Sequence, residues 1–581
     1  MKMRALESMV LLLILIFSIV LGSKGMEFNL SMDVFVDGPA IWFSDGVNAG
    51  NFVGLLNVSS YEGFGMDGAW EKIVEVWVLV RGMVVAPVMR VAMVLCMVMS
   101  LMLLVEFVFM SLVSLGVKIL RRKPEIRYKW EALKEDPEIG TSVYPMVLVQ
   151  IPMFNEKEVY KLSIGAACGL AWPPDRFIIQ VLDDSTDPIV KAMVELECNA
   201  WASKGMNIHY EVRNNRKGYK AGALKEGMEH SYVHQCDFVA IFDSDFQPEP
   251  DFLMRTVPFL VNNPKIALVQ ARWEFVNFGE CLMTRIQRMS LDYHFKVEQE
   301  AGSCTFAFFG FNGTAGVWRI SALNEAGGWE DRTTVEDMDL AVRAILKGWK
   351  FLYVGDVKVK SELPSNFKAY RHQQHRWTCG AANLFRKVAF DIMRAKDVSL
   401  WKKLYVLYSF FIVRKVVAHV VTFFLYCVVV PASALIPEVN IPIWMVVHIP
   451  TTITLLNAIR NTSFIHLMPL WILFENVMSM HRMKATMIGL LEAKSANEWV
   501  VTEKLGGAIR AKPENQILEK PPSRFKERLN YSELRFGFFL LLCASYDVIY
   551  GVNYYFIYIY LQALAFFIMG VGFVGRHTSN S

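Results

Sequence analysis

Paired cysteines are missing from this chain. Nine cysteines are scattered along 581 residues without one CxxC, so no thiolate zinc site is indicated and the thiols read as buried or membrane-facing. A strong charge bias is missing too: 60 Lys+Arg against 56 Asp+Glu leave a formal net charge of +4. That is too weak a field to argue for nucleic acid as a partner. No internal repeat is visible, and a transporter built from many spans usually carries one. What the chain has in abundance is apolar surface. Hydrophobic residues make up 54% and the mean hydropathy is +0.30, which points to a soluble domain joined to a membrane region.

Lys2 and Arg4 precede an apolar run from Met9 to Leu21, with Gly22 and Ser23 after it. This reads as a signal peptide or a short signal anchor, because a full span needs about 20 residues. Residues 24–80 show no period and read as a loop or surface-lying segment, so 1–90 forms an N-terminal unit. Residues 91–117 are a transmembrane helix between Arg90 and Lys118, with Glu106 as its only charge. An intramembrane carboxylate faces protein or water, either in use or paired with another helix. Lys118, Arg121, Arg122 and Lys123 favour the cytosol for the adjoining domain, while a lumenal domain needs only one fewer early span, so the run Met9–Leu21 decides between the two. Beyond residue 400 the chain turns apolar again, with candidate spans at 409–430, 441–459, 536–550 and 554–574 and a weaker one at 464–480.

Between these regions, residues 118–400 alternate short apolar runs (Met146–Ile151, Ile178–Leu182, Ile208–Val212, Phe238–Phe242, Ala267–Val269) with helical patterns at Tyr160–Leu170 and Pro188–Ser203. That alternation predicts an α/β domain with a largely parallel sheet. Such sheets bind ligands at the carboxyl ends of their strands. Two acidic motifs stand there. Asp183-Asp184 ends one run, and Asp243-Ser244-Asp245 ends another. The first pair is equally compatible with helix capping. The second offers alternate hard oxygen ligands for a divalent cation, Mg2+ or Mn2+, that could bridge a diphosphate.

Between the two acidic motifs, the turn from Arg213 to Leu224 is rich in cations and glycine and opens a helix. It suits a phosphate-bearing ligand or merely a solvated turn. Asn312-Gly313-Thr314-Ala315-Gly316 is a small-residue loop that lets a sugar approach the backbone. Thr334-Val335-Glu336-Asp337 sets two carboxylates side by side at a helix start, where serving the helix dipole would explain one of them. Gln373-Gln374-His375-Arg376-Trp377 comes next, in a basic amphipathic stretch that could lie on a membrane surface. An inverting sugar transfer needs a base, cations for a departing diphosphate and a flat apolar face for the acceptor. Asp337, Arg376 and Trp377 can supply these.

The ordered set Asp184, Asp243/Asp245, Asp337 and Gln373-x-x-Arg376-Trp377 resembles the D, D, D, QxxRW pattern of processive family 2 glycosyltransferases, among them the cellulose and hyaluronan synthases. The hexad Trp499-Val500-Val501-Thr502-Glu503-Lys504 resembles their FxVTxK gating loop, with Trp for Phe. The wording is closer still to the plant cellulose synthase-like A family, the β-1,4-mannan and glucomannan synthases. It is carried by Phe311–Ile320, Thr333–Arg343, Glu362–Ser365, Gln373–Trp377, Ala382–Lys387 and Asn497–Gly506. Ala381 stands where that pattern has Pro.

The resemblance implies a GT-A nucleotide-sugar-binding domain inserted between transmembrane helices, in a multi-pass protein of the Golgi membrane. It implies GDP-mannose and GDP-glucose as donors and a growing β-1,4-linked polysaccharide as acceptor. Asp184 and Asp337 become catalytic, Asp243 and Asp245 hold the donor and metal, and Gln373, Arg376 and Trp377 meet the acceptor and diphosphate. Trp499, Thr502 and Lys504 then belong to a gating loop near 497–506 within a membrane region 401–581. The related glucan synthases of the xyloglucan backbone, using UDP-glucose, are the alternative, with a non-catalytic transporter a more distant one.

Overall fold

The computed structural model describes residues 66–138, 140–213, 215–459, 462–492, 529–551, 554–572 and 574–575. The apolar run 9–21 and the hexad with Trp499, Thr502 and Lys504 lie outside them.

The catalytic-type domain is built on a pair of central, mostly apolar strands. β1 (Val147–Met153) and β2 (Phe177–Asp183) are buried almost throughout, as central parallel strands must be. β3 (Ile208–Val212), β4 (Phe238–Ile241), β5 (Gln247–Pro248), β6 (Ile266–Phe275), β7 (Gly316–Arg319) and β8 (Lys350–Ser361) complete one sheet. Its order is β3-β2-β1-β4-β7-β6-β8-β5. One face packs on the helices Tyr160–Cys168, Pro188–Ala202 and Phe252–Asn262. The other packs on α1 (Tyr219–Gly227) and α2 (Glu336–Leu346).

The sheet is mixed, not largely parallel. β3, β2, β1 and β4 run parallel, but β7 wedges between β4 and β6 antiparallel to both. β5 is antiparallel to β8. β7 has four residues and β5 two, too few for periodicity to reveal a strand.

The N-terminal helix is longer than its sequence pattern indicates. It runs from Met66 to Val80, through a π-turn at Arg81–Val85, into Ala86–Ile119. Glu106 is paired with another helix: its Oε1 accepts from Ser409 Oγ at 2.6 Å and lies 3.5 Å from Arg414 Nε. Arg414 in turn reaches Glu298 at 3.8 Å. Among the described residues, two helices are long and apolar enough to cross a membrane, Val74–Ile119 and Leu400–Ser433. The other expected spans form the helices Ile449–Ile459, α4 (Met468–Leu491), α5 (Tyr531–Tyr550) and Phe556–Gly570. α4 carries Glu475, Arg482 and Lys484, and α5 carries Glu533, Arg535 and Asp547. These charges interrupt the apolar pattern.

α3 (Phe367–Arg394) joins the two halves. Its sequence is amphipathic and basic, as a surface helix would be, yet Thr378 to Leu384 are buried. Of these, Cys379, Ala382 and Asn383 lie against α4, where Gly489 lets the two backbones approach. A Cβ there would stand 2.3 Å from the Cys379 carbonyl oxygen. Gly489→Val is expected to lower the melting temperature of the detergent-solubilised protein, since overpacking costs about 1–3 kcal/mol. An unchanged melting temperature would show that the two helices need no close approach.

Candidate active site

The site lies at the carboxyl ends of β2, β1 and β4, reached by residues from α2 and α3. β2 ends on Asp183, which serves the backbone: its carboxylate accepts from Ser185 N and from Tyr210 Oη, each at 2.8 Å. Asp184, one residue on, lines the cavity. Arg213 forks onto it, Nε donating to Oδ1 at 2.7 Å and Nη2 to Oδ2. The same guanidinium donates to the carbonyls of Lys217 and Tyr219 at 3.2 and 2.9 Å, which folds the basic turn into the start of α1. Gly222 is required there, because a Cβ would stand 2.0 Å from the Lys217 oxygen.

Lys220, in the first turn of α1, pairs with Asp243 Oδ1 and donates to the Gly313 carbonyl at 2.9 Å. Asp243 N donates to Thr314 Oγ1 at 2.9 Å. Asp245 is buried and accepts from Ser361 Oγ, at the end of β8, at 3.0 Å. The small-residue loop therefore serves the carboxylates. Gly313 has a φ of +78°, and a Cβ on it would come within 2.9 Å of Asp337 Oδ2.

Asp337 sits in the first turn of α2, and its Oδ1 accepts from Met338 N at 2.7 Å. Asp339 points elsewhere. It is fully buried and held by Arg332 Nε at 3.1 Å and Arg343 Nε at 3.0 Å, so it fixes the helix and does not serve the cavity. α3 begins at an Asn366 cap, whose side chain accepts from Lys368 N at 2.8 Å. It brings Gln373, Arg376 and Trp377 to the same cavity as Asp184, Asp243, Asp245 and Asp337. Every candidate within the described residues is thus gathered in one place.

Some of the lining carries no distinct signal in the sequence. Lys220 lines the cavity without standing out by motif as a functional residue, and Glu336, one of the two side-by-side carboxylates at the helix start, lines it beside Asp337. Phe154 and Arg216 line it as well, with the guanidinium 3.4 Å from the ring centroid. The one available signal is a lysine in the turn that opens α1.

Burial governs the electrostatics. It pushes Glu336 and Asp337 well above the usual carboxylate range, and for Glu336 the adjacent Asp337 charge adds to the push. Lys220 and Arg376 pull both back down. Burial opposes charge on Lys220, but Asp243, Glu336 and Asp337 outweigh it and hold the ammonium above the ordinary lysine range. Burial also lowers Arg376, countered by the same three carboxylates. Asp243 keeps a third of its side chain exposed, and with Asp245 it offers hard oxygen donors that fit a divalent cation. Among the described residues, no cluster of three or more His, Cys, Asp or Glu gathers as a metal site. A cation on this pair would therefore draw further ligands from its substrate.

The family models place this geometry in a class. Residues 148–314 match the glycosyl transferase family 2 model and residues 238–457 the glycosyl transferase family group 2 model. The chain is a family 2 glycosyltransferase with the mixed-sheet GT-A fold. A probable glucomannan 4-beta-mannosyltransferase 3 of Oryza sativa subsp. japonica is 68% identical over 489 residues, covering 83% of this chain and 88% of that protein. Glucomannan 4-beta-mannosyltransferases 9 and 2 of Arabidopsis thaliana are 64% and 63% identical, each covering 86% of this chain and 94% of theirs. This chain belongs to the glucomannan 4-beta-mannosyltransferase family. Among solved structures, a mannosyltransferase from Pyrobaculum calidifontis in complex with GDP-Man and Mn2+ covers 68% of this chain and 99% of its own, at 16% identity and a TM-score of 0.42.

A base must be ionised to act, so a raised carboxylate pKa places the acid limb of the rate above the ordinary carboxylate range. Lys220→Met removes a cation that opposes that rise, so the limb should move to still higher pH. A pH–rate profile of polymer formation checks this. A limb that stays put or moves down would show that Lys220 does not set the ionisation of the pair.

Proposed function

We propose that the chain is a processive, inverting synthase of the β-1,4-mannan or glucomannan backbone, using GDP-mannose and, as a second donor, GDP-glucose. The observation that carries this reading is the meeting of Asp337, Arg376, Trp377 and the Asp243/Asp245 pair around one cavity. The relatives' shared mannosyltransferase name, at 61–68% identity, supports the donor sugar. It also favours this reading over a UDP-glucose-dependent glucan synthase and over a transporter.

Asp184 steadies the nucleotide end of the donor, its own orientation held by Arg213. A divalent cation held by Asp243 and Asp245 would neutralise diphosphate charge. Asp337 takes the proton of the acceptor's 4-hydroxyl as that oxygen bonds to the anomeric carbon of the donor. The bond from that carbon to the diphosphate breaks on the opposite face, and its electron pair leaves with GDP. An α-linked donor thus becomes a β-linked residue. Arg376 offsets the charge that develops on the leaving group. Trp377 gives the acceptor sugar a flat apolar face. We place the protein in the Golgi membrane as a multi-pass enzyme, its catalytic domain on the cytosolic side, with Val74–Ile119 and Leu400–Ser433 among its spans. The segment 497–506 remains the proposed gating loop.

The test is synthesis by purified membranes given GDP-mannose, GDP-glucose and UDP-glucose separately, with the product digested by linkage-specific hydrolases. Polymer from UDP-glucose alone would overturn the donor assignment. Asp337→Asn keeps the shape of the side chain but cannot accept the proton, so the rate should fall by about two to four orders of magnitude with GDP binding intact. A rate within about threefold of the parent would remove Asp337 from the base role.

Trp377→Ala should shorten or abolish the polymer while GDP affinity stays near the parent's. Trp377→Phe should keep part of the activity, since a smaller ring still offers a face. Weakened GDP binding with normal chain length would instead put Trp377 on the donor side.

A further inference from the structure

The motif Gln373-x-x-Arg376-Trp377 leaves its second position open, yet in this chain Gln374 makes a specific contact. Gln374 is not among the residues lining the cavity, whereas Gln373 is. Its Oε1 accepts from Arg482 Nε of α4 at 2.9 Å. Arg482 Nη2 donates to Tyr370 Oη at 3.1 Å. Tyr370 lies one helical turn before Gln374 on α3, so the two residues share a face. The charge on Arg482 is met on its own helix by Glu475, through Nη1 to Oε2 and Nη2 to Oε1 at 3.4 Å. Glu475 also accepts from Ser290 Oγ at 3.4 Å, and Ser290 accepts from Trp471 Nε1 at 2.9 Å. Arg482 and Glu475 expose 13% and 17% of their side chains. Solvent therefore competes little for these bonds, and losing the Glu475 partner would strand the charge on Arg482.

We propose that Arg482, oriented by Glu475, is a positioning residue that braces α3 through Gln374 and Tyr370. The brace thereby fixes where Arg376 and Trp377 meet the diphosphate and the acceptor. The inference rests on the proposed function and deepens it. The guanidinium suits the task because it is planar, permanently charged and forked. It can serve the carboxylate, the amide and the phenol at once, whereas a lysine ammonium would serve them as a single point. Gly489 allows the close approach of α3 and α4 further along the same interface. Near the opposite end of α3, Arg371 lies 3.2 Å from Glu533 of α5. The motif thus stands between the contact with α5 at Arg371 and the close approach to α4 at Cys379, and the Arg482 brace acts one residue from Gln373.

A displacement of about 1 Å in a reacting group can cost on the order of a hundredfold in rate. Gln374→Ala and Arg482→Met should each lower the rate of polymer formation about tenfold or more. GDP affinity should fall by less than the rate, because of the groups assigned to the donor and its diphosphate only Arg376 stands on α3. If both residues act as one brace, the double variant should be no slower than the slower single variant. Arg482→Lys should recover only part of the rate.

Additive losses in the double variant would overturn the brace, as would a parental rate for Gln374→Ala. Equal losses of GDP affinity and rate in Gln374→Ala would also overturn it, because that points to general damage. If Arg482→Met fails to fold, Gln374→Ala decides alone, since it removes one hydrogen bond and no charge. A parent enzyme that makes no polymer from GDP-mannose but does so from another donor sinks the donor assignment. The ratio of variant to parent rate on that donor still tests the brace.

Discussion

The structure depends on one electrostatic constraint: carboxylates drawn from several elements share a cavity from which much of the water is excluded. Asp184, Asp243, Asp245, Glu336 and Asp337 all line it. Like charges at such density cannot stay ionised unless cations are brought in or protons retained. The chain does both. Arg213 forks onto Asp184, Lys220 pairs with Asp243, and Arg376 sits in the field of Asp243, Glu336 and Asp337. Glu336 and Asp337 hold protons to higher pH than exposed carboxylates do. A phosphate-bearing ligand entering this balance meets cations already oriented by carboxylates, so little reorganisation is needed when charge moves during transfer.

That constraint explains much of the local backbone. The turn from Arg213 to Tyr219 must curl tightly for one guanidinium to reach both a carboxylate and two carbonyls, which is why Gly222 stands against the Lys217 oxygen. The loop at Gly313 must pass between Lys220 and Asp337, and only a residue without a Cβ fits there. Asp339 has the opposite task. Buried deep and gripped by Arg332 and Arg343, it anchors the helix whose first turn carries Asp337. Three acidic residues in four positions thus divide between the cavity and the scaffold.

The strand-end aspartates are legible in the sequence because each comes after a mostly apolar run, and a buried run must stop where its polar cargo begins. β1, β2 and β4 are legible for the same reason, whereas β3 carries His209 and Glu211 and is only half-buried. β5 and β7 are not, since strands of two and four residues carry no period. Their antiparallel pairing turns an expected parallel sheet into a mixed one. The burial of α3 is hidden as well. Its basic residues suggest a membrane-surface helix, but at its centre Cys379, Ala382 and Asn383 lie against Gly489 of α4, and Gly380 lies against Thr334 and Val335, so the helix is covered. Lys220 is hidden because one lysine in a basic turn looks like any other until Asp243 is seen beside it.

The division of the site between two structural regions has a mechanical consequence. The groups assigned to the donor stand on strand ends, fixed by the hydrogen-bonded sheet. The groups assigned to the acceptor and the departing diphosphate stand on α3, whose other side is packed on α4. A sheet edge is a stiff reference, whereas a helix can slide or turn against its neighbours by small steps. Transfer requires both parts to be in register at the moment of bond exchange. The interface of α3 with α4 carries paired charges as well as apolar contacts, and such contacts tolerate fewer alternative alignments than a greasy surface would.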